Sequence, residues 1–274
     1  LKDVNLIDHH HLEVYNEKTV NYNRDIEAFP LLKKIIEKIT GETSFYKSPT
    51  DMGVNRAGFG IVNDRAVQDA AHQEIIRRYF RCATEYAMGF VDLETLHRSE
   101  LIMKNIGATV EDRCTVIPAR EAAIQAEHKN KGNEGIYVGA AIELKDGVII
   151  TGKNSPIMHA AASLILNATK HLAGLPDTLH LLPANIMDSL NYLKKEVLLG
   201  KVVSLDLEEV LIALSISATT NPAAQMALQK LKELQGCEVH LTHIPSRGDE
   251  AGLRKLGVHL TCDPDFSSKR LFYK

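Results

Sequence analysis

The residues whose types and spacing could do chemistry fall in four places. Cys237-x-x-His240-x-x-His243, followed by His259-x-x-Cys262, has the paired thiolate and imidazole spacing of a zinc site. Geometry works against it: both segments read as β-strands, and residues three apart on a strand point to opposite faces. Asp8-His9-His10-His11 is a run of adjacent side chains that diverge in the same way, so no metal site is expected. Gly152-Lys153-Asn154-Ser155-Pro156, with His159 beyond it, lies between a predicted strand and an Ala-rich predicted helix. Free backbone N–H groups, a helix dipole and the Lys153 ammonium would suit a phosphate or carboxylate there, with Asn154, Ser155 and His159 as further contacts. The same residues read equally as a capped helix start, Ser155 capping and Pro156 in the first helical position. The fourth place is N-terminal. Asn21, Asn23 and Arg24, with Lys47, Ser48, Thr50, Asp51, Asn55 and Arg56 in a turn-rich loop, could hold an anion through their cationic groups, or could simply fix turns. No catalytic residue is assigned by spacing alone.

The elements that must position these residues follow from apolar periodicity and turn chemistry. A helix is predicted over 26–40, then long loops to residue 62. Helices are predicted from Asn63-Asp64 to about Ala87, from Asp92 to Ile106, and from Pro118 to about Lys129, each with a capping or stop residue at hand. Beyond Gly132 the period changes. Two strands, 136–144 and 148–151, flank Asp146-Gly147, a strong hairpin signal. A helix is expected from Pro156 to Leu172, a short strand at 179–182, and a helix over 184–199. Residues 205–217 are ambiguous between helix and strand, with the acidic start Asp206 to Glu209 favouring helix, and Asn221-Pro222 opens another helix to Leu234. Val239-His240-Leu241-Thr242 and Val258-His259-Leu260-Thr261 repeat as strands around a short helix, Asp249 to Leu256, which makes a parallel βαβ unit. The predicted architecture is therefore α/β: residues 1–62, a helical segment over 63–131, and an α/β domain over 132–274 whose mixed, partly parallel sheet has flanking helices.

Composition sets the outer bounds. The 274 residues are 45% hydrophobic and 24% charged, a globular balance that excludes a mainly disordered or fibrous chain. Lys and Arg number 32 against 35 Asp and Glu, so no global charge draws the chain to nucleic acid or anionic lipid, and neither is expected as a partner. Trp is absent. Four scattered cysteines do not make a disulfide framework, and no apolar run reaches the length of a membrane span, so a cytoplasmic location is expected.

The hairpin, the Asn and the following helix bearing His159 also resemble the strand order of zinc-dependent cytidine deaminases. Their chemistry needs His-x-Glu and Cys-x-x-Cys; here the residues are His159-Ala160-Ala161, and no Cys-x-x-Cys occurs. A wider resemblance rests on Thr19 to Asp25, Tyr46 to Asn55, Gln73 to Tyr79, Gly152 to Pro156 and Gly248 to Gly257, which together are similar to the bacterial DUF1846 (UPF0371) family. The resemblance implies a C-terminal portion of a protein roughly twice as long, whose other half carries a loop similar to a phosphate-binding loop. On that basis a nucleotide is the expected cofactor of the intact protein, and residues 1–62 would complete an absent domain. The missing N-terminal half is the expected partner, alongside assembly as a homo-oligomer. The resemblance carries over no catalytic residue.

Overall fold

The structure is a computed structural model that describes residues 38–39, 41, 64–200 and 203–267. The chain divides into two compact units, one of residues 1–82 and 89–113, the other of residues 83–88 and 114–274. The predicted helix over 26–40 lies outside the described residues except for Lys38 and Ile39, which are helical.

In the first unit, α1 (Asp64–Ala87) contributes most of its length and is followed by α2 (Leu93–Asn105). The carboxylate of Asp92 accepts the N–H of Thr95 at 2.8 Å and so caps α2 as the sequence predicts. Ile75 and Ile102 form a small buried cluster, with Met103 and Ile106 packed against it. Across this pair, Gln73 donates to the carbonyl of Asp112 at 3.0 Å.

The second unit opens with α3 (Val116–His128), which starts one half-turn before Pro118. The hairpin β1 (Gly139–Glu143) and β2 (Ile149–Lys153) turns at Asp146-Gly147, where Gly147 has a φ of 84°. Then come α4 (Ala160–Leu172), α5 (Ala184–Tyr192), α6 (Leu207–Ser217), α7 (Pro222–Lys230), β3 (Glu238–Leu241), α8 (Arg247–Lys255) and β4 (His259–Cys262). The described residues thus hold eight α-helices and one four-stranded sheet. Its order is β2-β1-β3-β4, with β1 antiparallel to both neighbours and β3 parallel to β4 through α8. The predicted α/β class and the parallel βαβ unit are what the chain forms.

The sheet is covered on both faces. Ala140, Ile142, Val239 and Leu241 point into a core shared with Ala161, Leu164, Ile165, Leu207 and Leu253, from α4, α6 and α8. The opposite face carries Gly139 and Ala141 against α3, whose Ala119, Ala122 and Ala126 recur at helical spacing. Two glycines set the spacing of these layers. A Cβ on Gly139 would lie 2.0 Å from the carbonyl oxygen of Ala119, and one on Gly152 would lie 2.4 Å from the nitrogen of Leu164. The alanines expected to pack α4 closely on the sheet do so, and a second core of Leu205, Val210, Leu214 and Ala227 covers the helix's far side.

Three elements differ from expectation. α4 begins at Ala160 rather than Pro156, because residues 157–159 are held extended by Leu205: Leu205 donates to the Ile157 carbonyl at 3.0 Å, and His159 donates to the Leu205 carbonyl at 2.9 Å. The predicted strand at 179–182 is loop, with Leu181 buried. The helix over 184–199 ends at Tyr192 and continues as a π-turn, Leu193–Val197. Residues 205–217 resolve as helix, Asp206 and Glu209 forming a reciprocal capping box. Among the described residues no helix is long and apolar enough to cross a membrane.

Candidate functional site

In open α/β sheets the crevice outside the carboxyl ends of the parallel strands is where ligands bind. Here that edge collects the chain leaving β2, β3 and β4, and with it the first turns of α4 and α8. The start of α6 joins them, since Met158 bridges Leu205 in parallel just before it.

Asp249 ties the three helix starts together. It is buried, and its Oδ1 accepts the backbone N–H of Leu207, the first residue of α6, at 2.9 Å. Its Oδ2 accepts from Ser246 Oγ, the N-cap of α8, at 2.7 Å, and lies 2.6 Å from Nδ1 of His159, the N-cap of α4. A carboxylate at Nδ1 requires the proton on that nitrogen, which leaves Nε2 as the atom that accepts a proton or, once protonated, donates one. Nε2 makes no hydrogen bond among the described residues. Burial alone would lower the pKa of His159, but the hydrogen bond to Asp249, then the charges of Asp249 and Asp206, outweigh burial and the opposing charge of Lys194, so it is raised.

The surrounding charges are unevenly placed. α6 begins with Asp206, Glu208 and Glu209, and α8 carries Asp249 and Glu250 in its first turn, whereas α4 has no acidic residue there. Its compensating carboxylate reaches in from α8 through His159. Gly248 lies against this convergence: a Cβ there would lie 2.1 Å from Oδ2 of Asp206 and push that carboxylate aside. Lys194 closes the acidic side, donating to Glu209 at 2.7 Å and to the Ser204 carbonyl at 2.8 Å.

A second polar group lies on the α3 face of the sheet. Arg120 grips Asp263 through Nε at 3.1 Å and Nη2 at 2.7 Å. His240, fully buried, has Nε2 at 3.5 Å from the same carboxylate and Nδ1 at 2.9 Å from Thr261 Oγ1. Burial would raise the carboxyl of Asp263, but the nearby His240 imidazole and the hydrogen bonds from Arg120 prevail and hold it at about 2.

Of the residues the sequence singles out, Asn21, Asn23, Arg24, Lys47, Ser48, Thr50, Asp51, Asn55 and Arg56 lie outside the described residues. Lys153 pairs with Gly139 and shares its face, toward α3, so it sits across the sheet from α4. Asn154 is buried and held on both sides of its amide, accepting from Val138 N at 2.8 Å and donating to the Ile136 carbonyl at 2.9 Å. Ser155 Oγ accepts the N–H groups of Ile157 and Met158 in a tight turn, so it does not cap a helix; His159 holds the N-cap position of α4 and turns its side chain to Asp249 rather than to the helix N–H groups. Among the described residues that the sequence singles out, only His159 bonds to Asp249, where the helix starts converge. In the sequence the stretch Pro245 to Glu250, which holds Ser246 and Asp249, reads only as a helix N-terminus that either binds an anion or is simply capped, and Arg120 and Asp263 do not stand out at all. Cys237 lies in the apolar core while His240 faces α3, the divergence that strand alternation requires.

The fold is an α/β sheet with the starts of three helices gathered at one edge around a carboxylate-held histidine. Residues 1–107 match the family model described as domain of unknown function DUF1846, N-terminal, and residues 111–272 the one described as DUF1846, C-terminal. The chain belongs to the DUF1846 family. It is 52% identical over 273 residues to a UPF0371 protein of Clostridium tetani (strain Massachusetts / E88), and 54% identical to one of Clostridium botulinum (strain Langeland / NCTC 10281 / Type F). Each alignment covers 100% of this chain and 54% of the relative, so the chain spans about half the length of these curated relatives. The match of residues 1–107 to the N-terminal model overturns the expectation that this is a C-terminal portion alone whose N-terminal half is a missing partner.

Proposed function

We propose that this chain belongs to a cytoplasmic bacterial enzyme that binds a nucleotide or another phosphorylated small molecule at the carboxyl edge of the sheet, with His159 as its proton carrier. The supporting observation is the His159–Asp249 pair, 2.6 Å apart, with Nε2 uncommitted among the described residues at the start of a helix that lacks an acidic first turn. A histidine held this way stays cationic to higher pH than a free one, which favours a phosphoryl oxygen and allows proton donation to a leaving group. Acyl transfer through Ser246 is the weaker reading, because its hydroxyl is bonded to Asp249 rather than to His159 Nε2. The test is calorimetry with inorganic phosphate, nucleoside monophosphates and ATP, on this chain and on a full-length relative. Binding that weakens about tenfold or more in His159→Gln supports the reading. Absence of binding by both proteins sinks it.

A second reading, assembly into a homo-oligomer, draws on the apolar run after α5, where Leu198 is 66% and Leu199 79% exposed. Sedimentation that shows a monomer at high concentration removes it.

A further inference from the structure

Beside the edge site, α4, the loop at 179–182 and α5 enclose an open pocket of about 160 Å³. We infer that this pocket is a separate binding site for a small amphipathic carboxylate, whose apolar body lies on Leu166, Leu181 and Met187 and whose carboxylate meets Lys170.

Size decides the ligand class first. Cofactor pockets usually run from about 300 Å³ upward, whereas a cavity of about 150 Å³ accepts a single benzene ring. The part of an occupant that this open pocket encloses is therefore a branched short chain or a single ring, and the matching ligand is a small acid. The lining decides the rest. Seven of the eleven lining residues are apolar, and none of the described lining residues is acidic. The polar ones are Ser163, Asn167, Lys170 and His180, so the pocket pairs an apolar surface with the Lys170 ammonium. A phosphate would leave most of its oxygens against apolar walls, at a desolvation cost that a monoanionic carboxylate largely avoids.

The charged group is positioned rather than loose. Lys170 donates one of its three N–H bonds to the Asp177 carbonyl at 2.8 Å, which leaves two uncommitted among the described residues. Asn167 donates to the Thr151 carbonyl at 3.0 Å, so its amide oxygen is aimed away from the strand. The wall at Met158 is also fixed, because the Ser155 hydroxyl and the bridge to Leu205 lock the turn that carries it. The inference does not rest on His159 and stands or falls apart from it.

Calorimetry on the whole chain with isovalerate and benzoate, and with isovaleramide and benzamide as neutral isosteres, tests it. Expected are saturable binding of at least one acid, an amide that binds about tenfold or more weakly, and a similar loss in Lys170→Met, as one charge-assisted hydrogen bond dictates. Met187→Trp, which fills the pocket from its apolar side, should remove binding without removing the cooperative thermal transition. His159→Gln should leave acid binding unchanged. No saturation by either acid, equal binding of acid and amide, or undiminished binding in both Lys170→Met and Met187→Trp would overturn the inference.

Discussion

Nδ1 of His159 and Oδ2 of Asp249 lie 2.6 Å apart, joining the first turn of α8 to the residue that opens α4. The consequence for pH runs in one direction. Because the folded pKa of His159 is raised above its ordinary 6.5, the pair contributes stability that is full below pH 6.5 and is lost as pH rises through the folded value. Chemical denaturation of the wild type and His159→Gln across pH 5 to 9 should therefore show the largest difference on the acid side and convergence on the alkaline side. A difference that grows with pH would contradict the raised value.

Asp263 predicts the opposite limb. With the ordinary carboxyl at 3.8 and the folded one at about 2, its contribution is present above pH 3.8 and lost as pH falls toward 2. Asp263→Asn leaves Arg120 and the buried His240 facing a neutral amide. A loss of about 2 kcal/mol at pH 7, shrinking below pH 4, is expected in urea titrations.

Gly139 and Gly152 are predicted to tolerate no side chain. In each case the atoms that an added Cβ would meet belong to helix backbone, which cannot rotate away as a side chain could. Gly139→Ala and Gly152→Ala should each cost about 3 kcal/mol or more, at the upper end of overpacking effects. Gly135→Ala, which meets nothing within 4 Å but must keep a φ of 77°, gives a comparison in which only backbone conformation is strained.

Asn154 tests whether a polar residue chosen from sequence is a ligand contact or a pin. Its amide joins Val138 and Ile136 on one side of the hairpin, so Asn154→Ala should lower stability by about 2 kcal/mol in denaturant titration. Phosphate or nucleotide affinity, where present, should change less than in His159→Gln.

The cysteines should react in a fixed order. Burial, only partly offset by the hydrogen bond with Thr84, pushes the Cys262 thiol up to about 11, and Cys82 and Cys237 are buried, whereas Cys114 is exposed. Iodoacetamide at pH 8 followed by mass mapping should modify Cys114 first and leave Cys262 untouched until the fold opens.

These outcomes separate what local sequence encodes from what it does not. Asp146-Gly147, the Asp92 cap and the Val-His-Leu-Thr repeat all carry their structural meaning within a few residues, and the hairpin, α2 and the βαβ unit follow from them. The start of α4 does not, because Ser155-Pro156 has sound helix-start chemistry locally but loses to a pairing with Leu205, far along the chain. The candidate site is legible in the sequence at His159, and at Ser246 and Asp249 only as a helix start. Asp249 looks like an ordinary first-turn acid until Leu207, Ser246 and His159 are brought to it by three different elements, and the pairing of Arg120 with Asp263 depends on a helix and a strand end that no short motif connects.

One carboxylate serving three helix starts has a consequence for how the molecule opens. If Asp249 lets go of any one partner, the remaining two lose part of what orients it, so these ends should fray together rather than separately. Amide exchange at the first turns of α4, α6 and α8 should then share one opening free energy, and Asp249→Asn should lower all three by a similar amount.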